Sequence, residues 1–525
     1  MTLRKDKYIY YIIITGLLLY IPLILLRDFT PTNELKYINI VDHMLKSKDF
    51  IQFRFDGALY TDKPPLYFWL VALIRIVIGK YSLFSIGLLI CVIPAIIIGI
   101  DIYKLLLENN YKNKNAFMVI LIMFTFLYFI GSSVVIRMDI LMMMFITKAV
   151  IWFYNIVENK KDKYYIPYIY IGIGFLIKGL AAIFIPISVV ILYLLITKQK
   201  DKIKKLKLLK GILIILIFVL IWIIPLVLSL GFDSTMKELI FKQTVNRAVN
   251  TSVHKRPIYY YLVNFVPNLW PWSLFFFISI GIILFNIKKQ DKFTIYVLCW
   301  IFMPFIIFSL VSSKLDIYLI PVYGAMAIIT EKLISGDYKK TKKILGIITS
   351  CIFILFIIAA FISKKKLDEM DPFLFKLVLL YGVFSIFTFI AGIYFSLKGK
   401  MSKFVYNIAG NMIVLTIILG ISTPIVNEYI GFSKFINIIN IERAKNNNLR
   451  VFGFKENEVD RMSYLINSEN MRSFENNSDL MKQRIESDII VLVQNDDMET
   501  LQKDFEKVYS ISFHCNYTKT TFYFL

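Results

Sequence analysis

A polar segment between two long apolar blocks carries residues whose types and spacing could perform chemistry. In it, Asp62 and Lys63 directly precede Pro64 and Pro65. Two prolines fix the backbone and disfavour helix at the residue before them, so this charged pair is held rigidly before an aromatic run that ends in Trp69. A fixed ammonium group can stabilise negative charge and a carboxylate can take up a proton. The same segment is also typical of a proline-capped amphipathic helix with a snorkelling lysine.

This segment belongs to a chain that consists mainly of apolar blocks. Of its 525 residues, 58% are hydrophobic and 18% are charged, with a mean hydropathy of +0.65. Blocks of about 20 apolar residues recur, each long enough to cross the hydrocarbon layer as a helix. This pattern excludes a soluble enzyme, a disordered chain and a disulfide-stapled secreted module, and it disfavours a transmembrane β-barrel, whose strands alternate with period two. We therefore predict an all-α polytopic membrane protein.

Lysine placement predicts the topology. The net charge of +23 is compatible with nucleic-acid binding, but the lysines cluster in every second gap between apolar blocks, as the positive-inside rule requires of cytoplasmic loops. With the basic amino terminus inside, the pattern predicts about 13 transmembrane helices and no nucleic-acid partner. The predicted spans lie near 8–26, 81–103, 116–131, 138–157, 164–177, 179–197, 208–230, 270–286, 293–312, 316–333, 343–363, 373–397 and 403–421, with residues 364–372 in an external gap. The apolar stretch 164–197 is divided into two short crossings at Lys178, because a single crossing would place every later lysine run outside.

This topology places two long loops, at 27–80 and 231–269, on the external face. Residues 1–421 are predicted to form the transmembrane domain. The tail, 422–525, has a different composition, in which short apolar runs alternate with helical patterns near 458–466 and 497–506. That alternation predicts a small α/β domain on the periplasmic side.

Six motifs follow one another along residues 1–335, and all of them fall on the predicted external face. They are Asn33-Glu34-Leu35-Lys36-Tyr37, Tyr60-Thr61-Asp62-Lys63-Pro64-Pro65-Leu66-Tyr67-Phe68-Trp69, Arg137-Met138-Asp139, Lys178-Gly179, His254-Lys255-Arg256-Pro257 with the later Trp270-Pro271-Trp272, and Ser312-Ser313-Lys314-Leu315-Asp316-Ile317-Tyr318. In this order they resemble the GT-C class of polyprenyl-phosphate-sugar glycosyltransferases, which includes lipid A aminoarabinose transferases and bacterial relatives of protein O-mannosyltransferases.

The resemblance implies sugar transfer from an undecaprenyl-phosphate-linked monosaccharide at the periplasmic face of the inner membrane. The acceptor would be lipid A, another envelope glycolipid or an exported protein. The leaving polyprenyl phosphate is already a stable anion, so the reaction needs positive charge at the phosphate and one carboxylate for the acceptor's proton. The residues that the resemblance associates with the phosphate are Lys63, Arg256 and Tyr318, with Arg137 and Arg247 as further cations. Arg137 is equally suited to a structural pair with Asp139.

The carboxylate base has more than one candidate. Family members commonly carry Asp-Glu where this chain has Asn33-Glu34, and an asparagine cannot act as a base at neutral pH. We predict Glu34 as the first candidate and Asp139 as the second, with Asp28 as a further alternative.

Neither cofactor nor metal is required by this chemistry. The chain has three histidines and no histidine cluster. In related transferases a zinc ion can bridge an acid before the lysine and a histidine of the later loop, and Asp62 and His254 occupy comparable places here. Any bound divalent ion is expected to be structural.

Two other functions are compatible with the composition. A flippase or transporter of the lipid-linked sugar would show internal repeats and paired intramembrane charges, and the sequence shows no clear repeat. An assembly subunit that kept the motifs without activity is the other alternative, because Asn33 replaces the usual acid.

The topology makes a direct prediction. A reporter enzyme that is active only in the periplasm, fused after Leu525, should be active, since an odd number of crossings carries the tail to the external side. A reporter that is active only in the cytoplasm is the control. Activity of that control fusion would place the motifs on the wrong face of the membrane.

Overall fold

The computed structural model shows a mostly helical chain. It describes residues 6–55, 58–236, 255–430, 433–445, 449–454, 473–474, 478–479, 482, 489–494, 509–512 and 521–524. A helix satisfies all of its backbone hydrogen bonds internally, which the hydrocarbon layer demands, so the apolar blocks fold as helices.

The helices are numbered in chain order. They are α1 (Lys7–Leu25), α2 (Lys36–Ser47), α3 (Leu66–Ile78), α4 (Leu83–Gly87), α5 (Ile93–Glu108), α6 (Asn113–Thr125), α7 (Leu127–Val134), α8 (Asp139–Val157), α9 (Tyr165–Lys178), α10 (Ala181–Ile196), α11 (Ile203–Leu206), α12 (Leu208–Leu230), α13 (Phe232–Met236), α14 (Tyr260–Asn268), α15 (Ser273–Phe285), α16 (Lys292–Leu310), α17 (Tyr323–Ser335), α18 (Lys339–Met370), α19 (Pro372–Leu397), α20 (Met401–Ile430) and α21 (Ser433–Lys445). Short π-helical turns at Pro31–Leu35 and Leu88–Val92, and 3₁₀ turns at Lys200–Lys202, Ile287–Lys289 and Asp316–Val322, complete the helical segments.

Among the described residues, nine helical segments are long and apolar enough to cross a membrane, and α6 with α7 forms a tenth that is bent by 70°. Four shorter apolar helices, α3, α9, α10 and α15, accompany them. The chain is therefore a multi-pass membrane protein. All thirteen segments predicted as spans are helical in the structure, while the number that cross the bilayer stays a prediction.

Three details differ from the sequence-based expectation. The predicted span at 116–131 is broken at Phe126, whose backbone is extended. The lysines at 364–366, expected in an external gap, lie within α18, which continues to Met370. The first long loop contains α2, α3 and a small hairpin of β1 (Arg54–Phe55) with β2 (Ala58–Leu59).

The described strands of the tail form a five-stranded mixed sheet. They are β3 (Arg450–Phe454), β4 (Ser473–Phe474), β5 (Ile489–Gln494), β6 (Tyr509–Ser512) and β7 (Thr521–Phe524), in the spatial order β4-β3-β5-β7-β6. Strand β3 pairs in parallel with β4 and β5, and β7 pairs antiparallel with β5 and β6. The two helices predicted near 458–466 and 497–506 lie outside the described residues.

The chain divides into two compact units. The first comprises Met1–Leu25, Thr61–Tyr67 and Phe84–Gly420, and the second comprises Leu26–Tyr60, Phe68–Leu83 and Ile421–Leu525. The predicted division into residues 1–421 and 422–525 stays a prediction. In the first unit, α9 and α12 pack closely through glycines, since a Cβ atom on Gly211 would lie 2.2 Å from the ring of Tyr168.

Candidate functional site

A buried carboxylate with two cationic partners lies at the centre of the first unit. Asp139 is the first residue of α8 and is 1% exposed. Lys178, the last residue of α9, donates a hydrogen bond to its Oδ1 atom. The Nε atom of Arg137 lies 3.1 Å from its Oδ2 atom. Two cations around one carboxylate leave an excess of positive charge, which suits an anionic ligand. Asp139, Arg137 and Lys178 are called the charged cluster below.

The turn before α8 is held in place by its neighbours. The thiol of Cys91 donates to the carbonyl of Val135 at 3.3 Å, and the hydroxyl of Tyr67 donates to the carbonyl of Ile136 at 3.4 Å. These contacts fix the backbone on which Arg137 and Asp139 stand.

The end of α9 is set by a glycine. Gly179 has a φ of 98°, a conformation that side chains other than glycine's rarely adopt, and its N–H bonds to the carbonyl of Phe175 at 2.7 Å. The chain thus turns sharply after Lys178 and leaves its ammonium group beside Asp139. A Cβ atom at position 179 would lie 3.9 Å from Pro64, so the segment that carries Lys63 packs against this turn.

Lys63 lies near the charged cluster, because the adjacent Pro64 faces Gly179 at the end of α9. It lies close enough to contribute to the electrostatic environment of the Asp139 carboxylate. Tyr67, four residues later, joins the Lys63 segment to the turn of Arg137 through the bond to Ile136. The structure therefore brings together three of the predicted site residues, Lys63, Arg137 and Asp139.

Tyr318 joins the same region. It lies in the 3₁₀ turn Asp316–Val322, and the ammonium group of Lys178 is 5.5 Å from the centre of its ring. This is within the range of a cation–π contact. Lys178 thus lies between a carboxylate and an aromatic ring that belong to distant parts of the sequence.

Arg256 is placed beside the 3₁₀ turn by backbone pairing. Its N–H bonds to the carbonyl of Ser312 at 3.3 Å, next to an isolated bridge between Lys255 and Ser313. The buried ammonium group of Lys314 donates to the carbonyl of Arg256 at 3.2 Å. The predicted phosphate residue Arg256 is therefore anchored through its backbone.

A polar network that sequence reasoning missed lies beside Arg256. Asp316 accepts hydrogen bonds from the amide of Asn264, at 3.0 and 3.1 Å, and from the hydroxyl of Tyr260, at 3.2 Å. Burial and the Asp316 carboxylate raise the pKa of Tyr260, so its hydroxyl stays a donor. The sequence did mark Asp316, because it lies in the last of the six motifs. Its partners Tyr260 and Asn264 stand 56 and 52 residues earlier, and no spacing rule connects them to it.

Glu34, the first candidate base, belongs to the second unit. It is fully buried, and its two oxygens accept from the guanidinium of Arg27 at 2.8 and 2.7 Å. Its Oε2 atom also accepts from the backbone N–H and the hydroxyl of Thr30, at 2.7 and 2.9 Å. All of these contacts close one short loop, so Glu34 has a clear structural role.

Asp28 lies in the same loop. Its backbone N–H donates to the side chain of Asn427 at 3.1 Å, and Asn427 in turn donates to the carbonyl of Leu26 at 2.8 Å. Burial raises the pKa of the Asp28 carboxyl, although the nearby Arg27 charge acts in the opposite direction.

Two of the predicted site residues, the cation Arg247 and the metal candidate His254, lie outside the described residues. Asp62 lies in the first unit. Within the described part of the chain, no group of three or more histidine, cysteine or acidic side chains is placed to hold a metal ion.

Comparison with known proteins shows which proteins the chain resembles. Residues 62–224, which contain Lys63 and the charged cluster, match the family described as dolichyl-phosphate-mannose-protein mannosyltransferase. Together with the relatives below, this match confirms the predicted resemblance to GT-C class transferases that use a lipid-phosphate-linked sugar.

Individual proteins that resemble this chain have more specific descriptions than the family has. The undecaprenyl phosphate-alpha-4-amino-4-deoxy-L-arabinose arabinosyl transferase of Wigglesworthia glossinidia brevipalpis is 26% identical over 362 residues, 67% of this chain. The match spans only 62% of that relative's length. The crystal structure of ArnT from Cupriavidus metallidurans bound to undecaprenyl phosphate is 14% identical, with a TM-score of 0.74 over 99% of this chain and 98% of that one. The Archaeoglobus fulgidus oligosaccharyltransferase, 11% identical, has a TM-score of 0.52 over 94% of this chain and 70% of its own.

The charged cluster predicts a characteristic pattern of stability. Asp139→Asn leaves the largely buried Lys178 without its carboxylate, which should cost about 3–5 kcal/mol. Asp139→Asn/Lys178→Gln should recover part of this loss, because the more deeply buried of the two cations is then removed, while the remaining Arg137 is 26% exposed to solvent. The measurement is thermal or denaturant unfolding of the purified protein in detergent. Equal stability of Asp139→Asn and the unchanged protein would show that the pair is not coupled.

Proposed function

We propose that this chain is an integral membrane glycosyltransferase that moves a monosaccharide from a polyprenyl (undecaprenyl) phosphate to an acceptor. The proposal rests on one observation: Lys63, Tyr318 and the charged cluster lie close together within the first unit. This surplus of positive charge suits a phosphate. The likeness to ArnT, whose structure contains undecaprenyl phosphate, supports the same class of donor.

The donor phosphate is proposed to bind between Lys63, Arg256 and Tyr318. Cleavage of the anomeric C–O bond leaves its electron pair on the phosphate oxygen, so negative charge grows there in the transition state. Ammonium and guanidinium groups at that position stabilise the transition state more than the ground state. Arg137 and Arg247 are proposed as further cations for the phosphate.

For the base we propose Asp139 ahead of Glu34, the opposite of the order that the sequence favoured. Glu34 already accepts four hydrogen bonds within its own loop, and a new proton would break the pair with Arg27. Asp139 also pairs with two cations, Arg137 and Lys178, but a bound donor phosphate would compete with its carboxylate for them. We propose that Lys178 turns to the donor phosphate and frees the Oδ1 atom of Asp139 for the acceptor's proton.

The proposal also covers the acceptor and the topology of the chain in the membrane. The acceptor is lipid A, another envelope glycolipid or an exported protein, at the periplasmic face of the inner membrane. Thirteen crossings, with residues 422–525 as a periplasmic domain, are part of the same proposal. The lysine pattern supports this orientation.

Substitution of Lys63 tests the phosphate role. Lys63→Ala should lower release of polyprenyl phosphate from a synthetic donor by roughly 10²–10³, because a contact to the leaving group is lost. The exposed Lys289 offers a matched control, and Lys289→Ala should retain full turnover. An intact donor with the unchanged protein would favour a transporter, while normal turnover of Lys63→Ala would remove only this residue from the mechanism.

The two carboxylates can be separated by turnover per donor-binding molecule. Asp139→Asn should lower it by roughly 10²–10⁴, the usual effect of losing a general base. Glu34→Gln should instead lower stability and leave turnover of the folded fraction close to normal, because it weakens the bonds to Arg27. Inactive Glu34→Gln with normal donor binding, beside active Asp139→Asn, would assign the base to Glu34.

A further inference from the structure

A second cationic site lies far along α8 and α9 from the charged cluster. A cavity of about 480 Å³ is lined by Lys160 and Lys161, which follow α8, and by Lys205 and Lys207, which precede α12. Among the described residues of its lining, the single carboxylate is that of Asp162. Four ammonium groups around one cavity repel one another unless an anion lies between them.

The lysines are held by neutral groups. Lys160 donates to the carbonyl of Glu108 and to the side chain of Asn109, both at 2.9 Å. Lys161 lies 4.3 Å from the ring centre of Trp152, and Lys207 lies 4.4 Å from that of Tyr164. The ring contacts of Lys161 and Lys207 leave their charge available to a ligand, whereas the carboxylates of Glu108 and Glu158 partly balance the charge of Lys160.

The backbone around the cavity is also anchored. Leu206, between two of the lining lysines, is fully buried, and its carbonyl accepts from the hydroxyl of Tyr168 at 2.7 Å. Nearby, Tyr193 donates to Glu158 at 3.0 Å and Lys202 lies 3.5 Å from the same carboxylate. The backbone that carries the exposed lysines is therefore ordered before a ligand arrives, which lowers part of the entropic cost of binding.

An exposed apolar stripe runs along α12, which begins directly after the lining residue Lys207. Its side chains recur at helical spacing and are largely exposed, as in Leu209 (81%), Leu213 (62%), Ile217 (59%) and Leu228 (82%). The 23 residues of α12 extend about 34 Å, enough to cross a hydrocarbon layer of about 30 Å, and the part from Leu209 to Ile217 extends about 12 Å, close to the depth of one leaflet. A ligand with a charged head and long acyl chains fits both features.

We propose that this cavity binds the phosphate headgroup of an anionic phospholipid, with the acyl chains lying along the exposed stripe of α12. Tryptophan and tyrosine beside the lysines suit the headgroup level of a bilayer, and basic pockets between transmembrane helices bind anionic headgroups. A soluble phosphate would use the same lysines, but it would gain nothing from the stripe.

Two double variants with equal loss of charge test the proposal. Lys205→Gln/Lys207→Gln removes lining lysines, and Lys204→Gln/Lys210→Gln removes two nearby exposed lysines, one in α11 and one in α12, that do not line the cavity. The full chain in detergent is titrated with phosphatidylglycerol or phosphatidylcholine, and bound lipid is counted by native mass spectrometry. The lining variant should bind phosphatidylglycerol roughly 10- to 30-fold more weakly, because each lysine contributes about 1 kcal/mol, while the control stays near the unchanged protein.

Three outcomes would overturn the proposal. Equal losses in both variants would show general surface attraction, and equal binding of the two lipids would show that charge is not recognised. Displacement of phosphatidylglycerol by millimolar inorganic phosphate would assign the cavity to a soluble anion. If the lining double variant fails to fold in phosphatidylcholine, the single variant Lys205→Gln is compared with Lys204→Gln in the same way.

Discussion

The pairing of a buried carboxylate with two cations constrains the rest of the first unit. Asp139 is almost entirely withdrawn from water at the start of α8, and an ionised group in such a place is costly unless it is paired. Its partners come from the preceding turn and from the end of α9. The contact therefore holds the ends of α8 and α9 together, and the Lys63 segment packs against the turn that it creates.

The second unit also contains a buried carboxylate that is paired with a cation. Glu34 is as buried as Asp139, but its cation, Arg27, comes from the same short loop. The hydrogen bonds from Arg27 and Thr30 to Glu34 stabilise that loop. A carboxylate whose partners come from separate helices can exchange one of them for a substrate anion, and for this reason we give the two acids different roles.

Much of the helical framework follows from the sequence, while the site follows only in part. Apolar blocks of membrane length left little alternative to helix, and the spacing of Arg137 and Asp139 indicated their pair. The contact of Lys178 with Asp139 depends on how α8 and α9 pack, which lysine patterns do not encode. The bond from Asn264 to Asp316 likewise joins distant segments, and the bend at Phe126 occurs in a continuous apolar block.

The central claim is that a donor phosphate takes Lys178 from Asp139. The most direct measurement is a cryo-electron microscopy structure of the protein with undecaprenyl phosphate bound. The account predicts phosphate oxygens within hydrogen-bonding distance of the ammonium groups of Lys63 and Lys178, with the Oδ1 atom of Asp139 left open. A phosphate bound away from Lys63, or an unchanged contact between Lys178 and Asp139 beside a bound phosphate, would contradict it.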